Sequence, residues 1–149
     1  MRKSLIIIAE ILLITINAFA FDPLFDGRID YRAAYDPRSV CAYDFDSDGD
    51  KDLAVANSDS ISILMNDGDG TFQPPINFGN GGLSIFTVDL DGDGDHDLAV
   101  AGGVGVSIYL NNGNGTFQTA GNYATGNSPR CVFSTDFDGD GDNDLTVAN

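Results

Sequence analysis

The sequence predicts an all-β chain assembled from repeated four-stranded antiparallel units, and three observations carry that expectation. One fourteen-residue pattern occurs three times: DFDSDGDKDLAVAN from Asp44, DLDGDGDHDLAVAG from Asp89 and DFDGDGDNDLTVAN from Asp136, at offsets of 45 and 47 residues. A second block, ISILMNDGDGTFQ from Ile61 and VSIYLNNGNGTFQ from Val106, keeps the 45-residue offset. Between turn signals the apolar residues alternate with small or polar ones, and nothing beyond residue 20 repeats at helical spacing. A period of about 40–50 residues marks a repeat architecture.

The elements follow in order. MRK, then the apolar run SLIIIAEILLITINAFA ending in Ala18-Phe19-Ala20, has the layout of a secretory signal peptide cleaved after Ala20. The run is short for a span of about 20 residues and carries Glu10, which argues against an uncleaved anchor. No Cys follows closely, so a lipid-anchored lipoprotein is not expected. The mature chain, residues 21–149, is expected to be secreted or displayed at the cell surface. Residues 25–40, FDGRIDYRAAYDPRSV, read as the end of a unit, because Tyr31 stands 13 residues before Asp44 as Tyr123 stands 13 before Asp136. This lone fourth strand is expected to complete a last blade and close a ring.

Within a unit, Val40–Tyr43 leads as a strand into the first Asp cluster. Leu53 and Val55, with Leu98 and Val100 and with Leu145 and Val147, mark the second strand. Ile61, Ile63 and Met65, or Val106, Ile108 and Leu110, mark the third. Asn-Asp-Gly-Asp-Gly (66–70) and Asn-Asn-Gly-Asn-Gly (111–115) supply positive-φ residues for a tight hairpin. Phe72 and Phe117 open a fourth strand reaching Phe78 or Tyr123, and all four aromatics read as core. Four antiparallel strands in about 45 residues make a β-propeller blade; a β-solenoid usually has shorter coils. Two complete blades are expected, 40–78 and 85–123, with a third truncated at Asn149. Propellers have about four to eight blades, so the chain reads as an incomplete propeller, the N-terminal part of a longer protein whose remaining blades would cover the open edge.

Net charge is −16 and the pI about 4.1, which argues against a nucleic-acid partner, whose phosphates need Lys and Arg. Beyond residue 20 there are 22 Asp, no Glu, and five basic residues: Arg28, Arg32, Arg38, Lys51 and Arg130. Asp used without Glu indicates a geometric demand, since its short side chain favours turns. Cys41 and Cys131 lie in different repeats; export would permit a bridge, but they are expected to be two small buried thiols.

Fifteen of the aspartates fall in the three clusters. Numbered from its first residue, each cluster has carboxylates at positions 1, 3, 5, 7 and 9: Asp44, Asp46, Asp48, Asp50 and Asp52; Asp89, Asp91, Asp93, Asp95 and Asp97; Asp136, Asp138, Asp140, Asp142 and Asp144. Gly49, Gly94 and Gly141 occupy position 6. Oxygen donors at 1, 3 and 5, a glycine at 6 and a backbone carbonyl at 7 make a Ca²⁺ loop, about one ion per loop. The absence of His and Cys among the donors excludes a zinc-type site, and Mg²⁺ prefers few protein ligands and retained waters. An EF-hand needs Glu at position 12; here Val55, Val100 and Val147 stand there, each in a strand, so the loop closes at Asp52, Asp97 and Asp144. Dockerin modules fail for the same reason. A solvated acidic turn without metal is the plain alternative, and three copies in register argue against it.

With D-x-D-x-D-G-x-x-D-L three times and N-x-G-x-G-T-F twice, the sequence resembles the FG-GAP or VCBS-type repeats that form the propeller of integrin α subunits. The resemblance covers about residues 25–149. Phe78-Gly79 keeps the first naming element, whereas GNSP at 126–129 stands where the second would fall, closer to the bacterial-style branch than to a true integrin chain. It implies that the calcium loop links the first two strands of each blade and that ligand sites lie on the opposite face.

These residues suit three functions. The first is an exported calcium-binding scaffold for protein or glycan binding and adhesion. The second is the non-catalytic propeller portion of a calcium-dependent polysaccharide-active enzyme, and the third is a lectin. No catalytic residue is assigned within the chain. His96, the single His, sits at loop position 8, where an exposed side chain is expected. The metal should depress the aspartate pKa values and occupy their lone pairs. Trp is absent, which leaves a lectin without its best platform, and Asn114-Gly115-Thr116 matches a glycosylation sequon but is explained by the hairpin turn.

Overall fold

The computed structural model describes residues 29–149; the expected signal peptide and its cleavage site lie outside the described residues. Within them are ten strands and no helix, hence no helix long and apolar enough to cross a membrane. Strands β1 (Pro37–Tyr43), β2 (Asp52–Asn57), β3 (Ile61–Leu64) and β4 (Ile76–Phe78) form one antiparallel sheet in chain order. Strands β5 (Ser84–Val88), β6 (Asp97–Gly102), β7 (Gly105–Asn111) and β8 (Phe117–Ala124) form a second, and β9 (Cys131–Thr135) with β10 (Asp144–Ala148) a two-stranded third.

Register gives each sheet two unlike faces, because directly opposed residues point the same way. In the first sheet Cys41, Ala54, Ile63 and Ile76 are opposed in series, as are Val40, Val55 and Ser62 on the other face. In the second sheet Phe86, Ala99 and Ile108 share one face, and Ile85, Val100 and Ser107 the other. The alanine face of the first sheet packs on the Leu/Val face of the second: Ala54, Ala56, Ile61 and Ile63 share a core with Ile85, Leu98, Val100 and Tyr109. The same stacking recurs one step on, where Ala99, Ala101, Val106 and Ile108 meet Val132 and Val147. Small residues on one side let large ones enter from the other, which keeps the interior close-packed.

The first strands lie side by side, β1 against β5 and β5 against β9. A repeated serine ties them: Ile85 N–H donates to Ser39 Oγ at 3.2 Å, and Val132 N–H to Ser84 Oγ at 3.3 Å. At the outer end Tyr109 fills the seam, its ring edge-on to Phe78 at 5.4 Å and its hydroxyl accepting from Asn80 N–H at 2.8 Å.

Four sequence expectations are corrected. The segment around Tyr31 is not a strand. Tyr31 packs edge-on to Phe72 at 5.2 Å, Ala34 N–H donates to Ser62 Oγ, and the chain turns at Asp36 (φ 53°) before β1 opens at Pro37. Phe72 does not open a continuous strand: it makes one isolated bridge to Asn66, and β4 starts only at Ile76, because Pro74 and Pro75 remove two ladder donors. The equivalent β8 lacks prolines and runs unbroken from Phe117. Tyr123 is 60 % exposed rather than core, since it lies beside Val106 at the sheet's outer edge, where the two-stranded third sheet supplies no counterpart of Tyr109. Cys131 is exposed, in the position held by Ser39 and Ser84, whereas Cys41 packs against the first core; both are free thiols.

Candidate metal centres

The three Asp clusters link β1 to β2, β5 to β6 and β9 to β10, the same strand junction each time. Local hydrogen bonds wind each cluster. Gly49, Gly94 and Gly141 at position 6 adopt φ of 100°, 95° and 100°, and their N–H groups donate to Oδ2 of Asp44, Asp89 and Asp136 at 2.9, 3.1 and 3.0 Å. Asp46, Asp91 and Asp138 accept from the N–H two residues on at 3.2–3.3 Å. Asp48, Asp93 and Asp140 do the same at 2.9 Å. These are Asx turns in series, which only a short acceptor side chain can make.

Position 9 closes the loop. Phe45, Leu90 and Phe137 donate their N–H to Oδ2 of Asp52, Asp97 and Asp144 at 2.9, 2.8 and 3.0 Å. In the first two repeats the other oxygen accepts from the hairpin, Asn66 N–H to Asp52 at 2.8 Å and Asn111 N–H to Asp97 at 2.9 Å. Both carboxylates are fully buried.

The winding brings three carboxylates together in every loop: Asp44, Asp46 and Asp48; Asp89, Asp91 and Asp97; Asp136, Asp138 and Asp144. One oxygen from each lies within 4.8 Å of the others. Asp52, at position 9 of the first loop, and Asp93 and Asp140, at position 5 of the others, are outside these converging sets, though the charge of Asp52 acts on Asp46 and that of Asp93 on Asp97. Position 7 points elsewhere. A Cβ on Gly68 would come 2.8 Å from Asp50 Oδ2, and one on Gly113 would strike Asp95 Oδ2, so these side chains face the hairpins, leaving position 7 its backbone carbonyl to offer. Asp142 is exposed.

The electrostatics record crowded charge. Burial, then the charges of Asp48, Asp52 and Asp44, raises the Asp46 pKa, with an opposing bond from the Asp48 N–H. Burial raises that of Asp97 against the bonds from Asn111 and Leu90. Asp136 is held low by the Gly139 and Gly141 N–H groups. An all-oxygen cluster of converging carboxylates fits a hard divalent cation, whose charge would relieve this repulsion.

Loop position 8 departs from expectation. His96 is half-buried, its ring flat on Tyr43 of the preceding repeat with centroids 3.6 Å apart and planes 4° from parallel, while Lys51 Nζ stands 4.7 Å from the Tyr43 centroid. Burial lowers the His96 pKa, with Asp89 opposing and Lys51 assisting. Asn143, at position 8 of the third loop, likewise reaches back, its Nδ2 donating to Asp89 O at 3.0 Å. In the second and third loops this position therefore touches the preceding repeat. In the hairpin, Asn114 Oδ1 accepts from Thr116 N–H at 3.1 Å and Oγ1 at 2.6 Å, a turn contact.

Two site residues escape a reading of the aspartates alone. Phe45 lies wholly inside the core between the sheets, and the only signal was an apolar residue at position 2 of every loop, Phe45, Leu90 and Phe137. Asn111 is buried and bonded to the first loop, and its signal was the Asn that opens both hairpins.

Fold and site together define an all-β repeat protein with an Asp-rich loop at one fixed strand junction. The chain belongs to the FG-GAP-like repeat family, which matches residues 44–100 and 89–147. Each match runs from one Asp loop through the next and ends in the strand that follows it. No curated protein and no solved structure matches the chain.

Proposed function

We propose that this chain is an exported, calcium-stabilised β-propeller scaffold that presents loops to a protein or glycan. Its four-stranded sheets are the blades. The observation that carries this reading is the recurrence, in three loops at one strand junction, of converging carboxylates within 4.8 Å. Asp44, Asp46, Asp48 and Asp52, with the backbone of Asp50, would hold the first ion, and their counterparts the second and third. The ion's role is structural: it offsets repulsion among carboxylates that the fold has gathered, so binding and folding are coupled.

Further repeats are the partners this reading assigns to the two outer faces. Val40, on the Leu/Val face of the first sheet, is 60 % exposed, and Phe133, on the third sheet, is 49 % exposed. Between the sheets, residues of these same faces are covered by a neighbouring repeat.

Thermal melting with and without chelator tests the reading. With a Kd of about 10⁻⁴–10⁻³ M, as in extracellular modules, about 1 mM calcium contributes roughly 0.4–1.4 kcal/mol per site. The melting temperature should therefore rise with calcium and fall in EDTA; an unchanged melt would sink the proposal.

A further inference from the structure

Phe45, at position 2 of the first loop, is held from both sides. Its N–H donates to Asp52 within the loop, and its carbonyl accepts two bonds from the next repeat, from Asn111 Nδ2 at 3.0 Å and Gly115 N–H at 2.8 Å. Asn111 is only 4 % exposed, and its own N–H donates to Asp97 of the second loop at 2.9 Å. Three hydrogen bonds thus run without a gap from the closing carboxylate of one loop, through Phe45 and Asn111, to the closing carboxylate of the next. Gly115 completes the contact by close approach, since a Cβ there would strike Met65 Cε and lie 3.6 Å from Asp46 Cβ. Asn66, the equivalent residue one repeat earlier, instead donates its Nδ2 to Lys51 O in its own loop at 3.0 Å.

We infer that Asn111 is a positioning residue for the first Asp loop, acting from the neighbouring repeat, so that docking of the second sheet sets the first loop in its ion-ready form. The inference rests on the calcium reading for its effect on affinity, and on geometry alone for its effect on the loop. Asn111 touches none of the carboxylates of loop 1. It acts through Phe45, whose backbone is anchored to Asp52 on one side and to the second sheet on the other. Without the amide, a buried carbonyl loses one of its two donors.

The test compares Asn111→Ala, Asn111→Ser and Asn112→Ala in the full chain. Ser keeps a short oxygen for the Gly113 turn bond but cannot reach Phe45, so it serves if Ala fails to fold. Asn112 donates only within its hairpin, to Thr116 at 2.9–3.0 Å, and controls for hairpin damage. Calorimetric calcium titration, with loop 1 identified by Asp48→Ala, should show that loop weakened about tenfold in the Asn111 variants, with the third loop unchanged. In chelated protein, amide exchange at Gly49 and Asp50 should speed up several-fold while Gly141 and Asp142 hold. Unchanged exchange in both sets would overturn the inference whatever the metal does, as would an equal response in Asn112→Ala. Faster exchange at Gly49 in a protein that binds no calcium would uphold the positioning and overturn the metal reading alone.

Discussion

The backbone N–H of Phe45 donates to Asp52 Oδ2 at 2.9 Å, and Asn66 N–H donates to Oδ1 at 2.8 Å, so each oxygen of this buried carboxylate holds one main-chain donor and keeps lone pairs for a cation. Asp52 is thus a structural brace whether or not an ion is bound, whereas Asp48 is exposed and braces only its own turn. In chelator, Asp52→Ala should cost about 2–4 kcal/mol, because two donors in and beside the core lose their acceptor. Asp48→Ala should stay within about 0.5 kcal/mol there and lose stability only relative to the calcium-loaded protein. Urea melts in EDTA and in calcium separate the two roles.

Loop position 4 offers a stabilising change. Gly92 and Gly139 hold φ of 78° and 81°, and Ser47 is forced to 63° at the same place. A non-glycine residue there costs about 1–2 kcal/mol, partly offset by the greater freedom glycine has when unfolded, roughly 0.5–1 kcal/mol. Ser47→Gly should therefore gain about 0.5 kcal/mol, read as a higher urea midpoint at unchanged slope.

The alanine face should resist enlargement. Ala54 is fully buried where the first sheet meets Leu98, Val100 and Tyr109. Ala54→Leu raises hydrophobicity yet should destabilise by about 1–3 kcal/mol through overpacking. Stabilisation on thermal melting would show the seam between the sheets to be loose.

The two thiols should behave differently. Burial pushes the Cys41 pKa up to about 12, while Cys131 lies exposed. At pH 8 a thiolate-specific reagent should label Cys131 alone, and Cys41 only on unfolding. The sign for stability follows from the native state holding the Cys41 proton more tightly than the unfolded chain. That contribution is complete below about pH 9 and is lost as pH rises from about 9 towards 12. Alkaline melts of Cys41→Ala against the parent chain should show the loss removed.

What the sequence determined by itself is everything encoded within a few residues. The Asp-x-Asp-x-Asp-Gly spacing lets each carboxylate accept from an N–H two or five residues on, and the position-6 glycines supply the positive φ of the turn. The loops, the second strand of each unit and the third strand of the two complete units were legible for that reason, and the repeated motif made the period and the family legible, whereas the expected strand at Tyr31 and the start of the fourth strand at Phe72 were not. Tertiary structure decided how the units stack: that the alanine face turns towards the next sheet, that Tyr31 packs on Phe72 without forming a strand, that His96 lies against Tyr43, and that Tyr123 stays outside. It also decided the bond from Asn111 to Phe45, which spans 66 residues. Such contacts depend on which sheet face meets which, and a period-two pattern marks two faces without saying what either will cover.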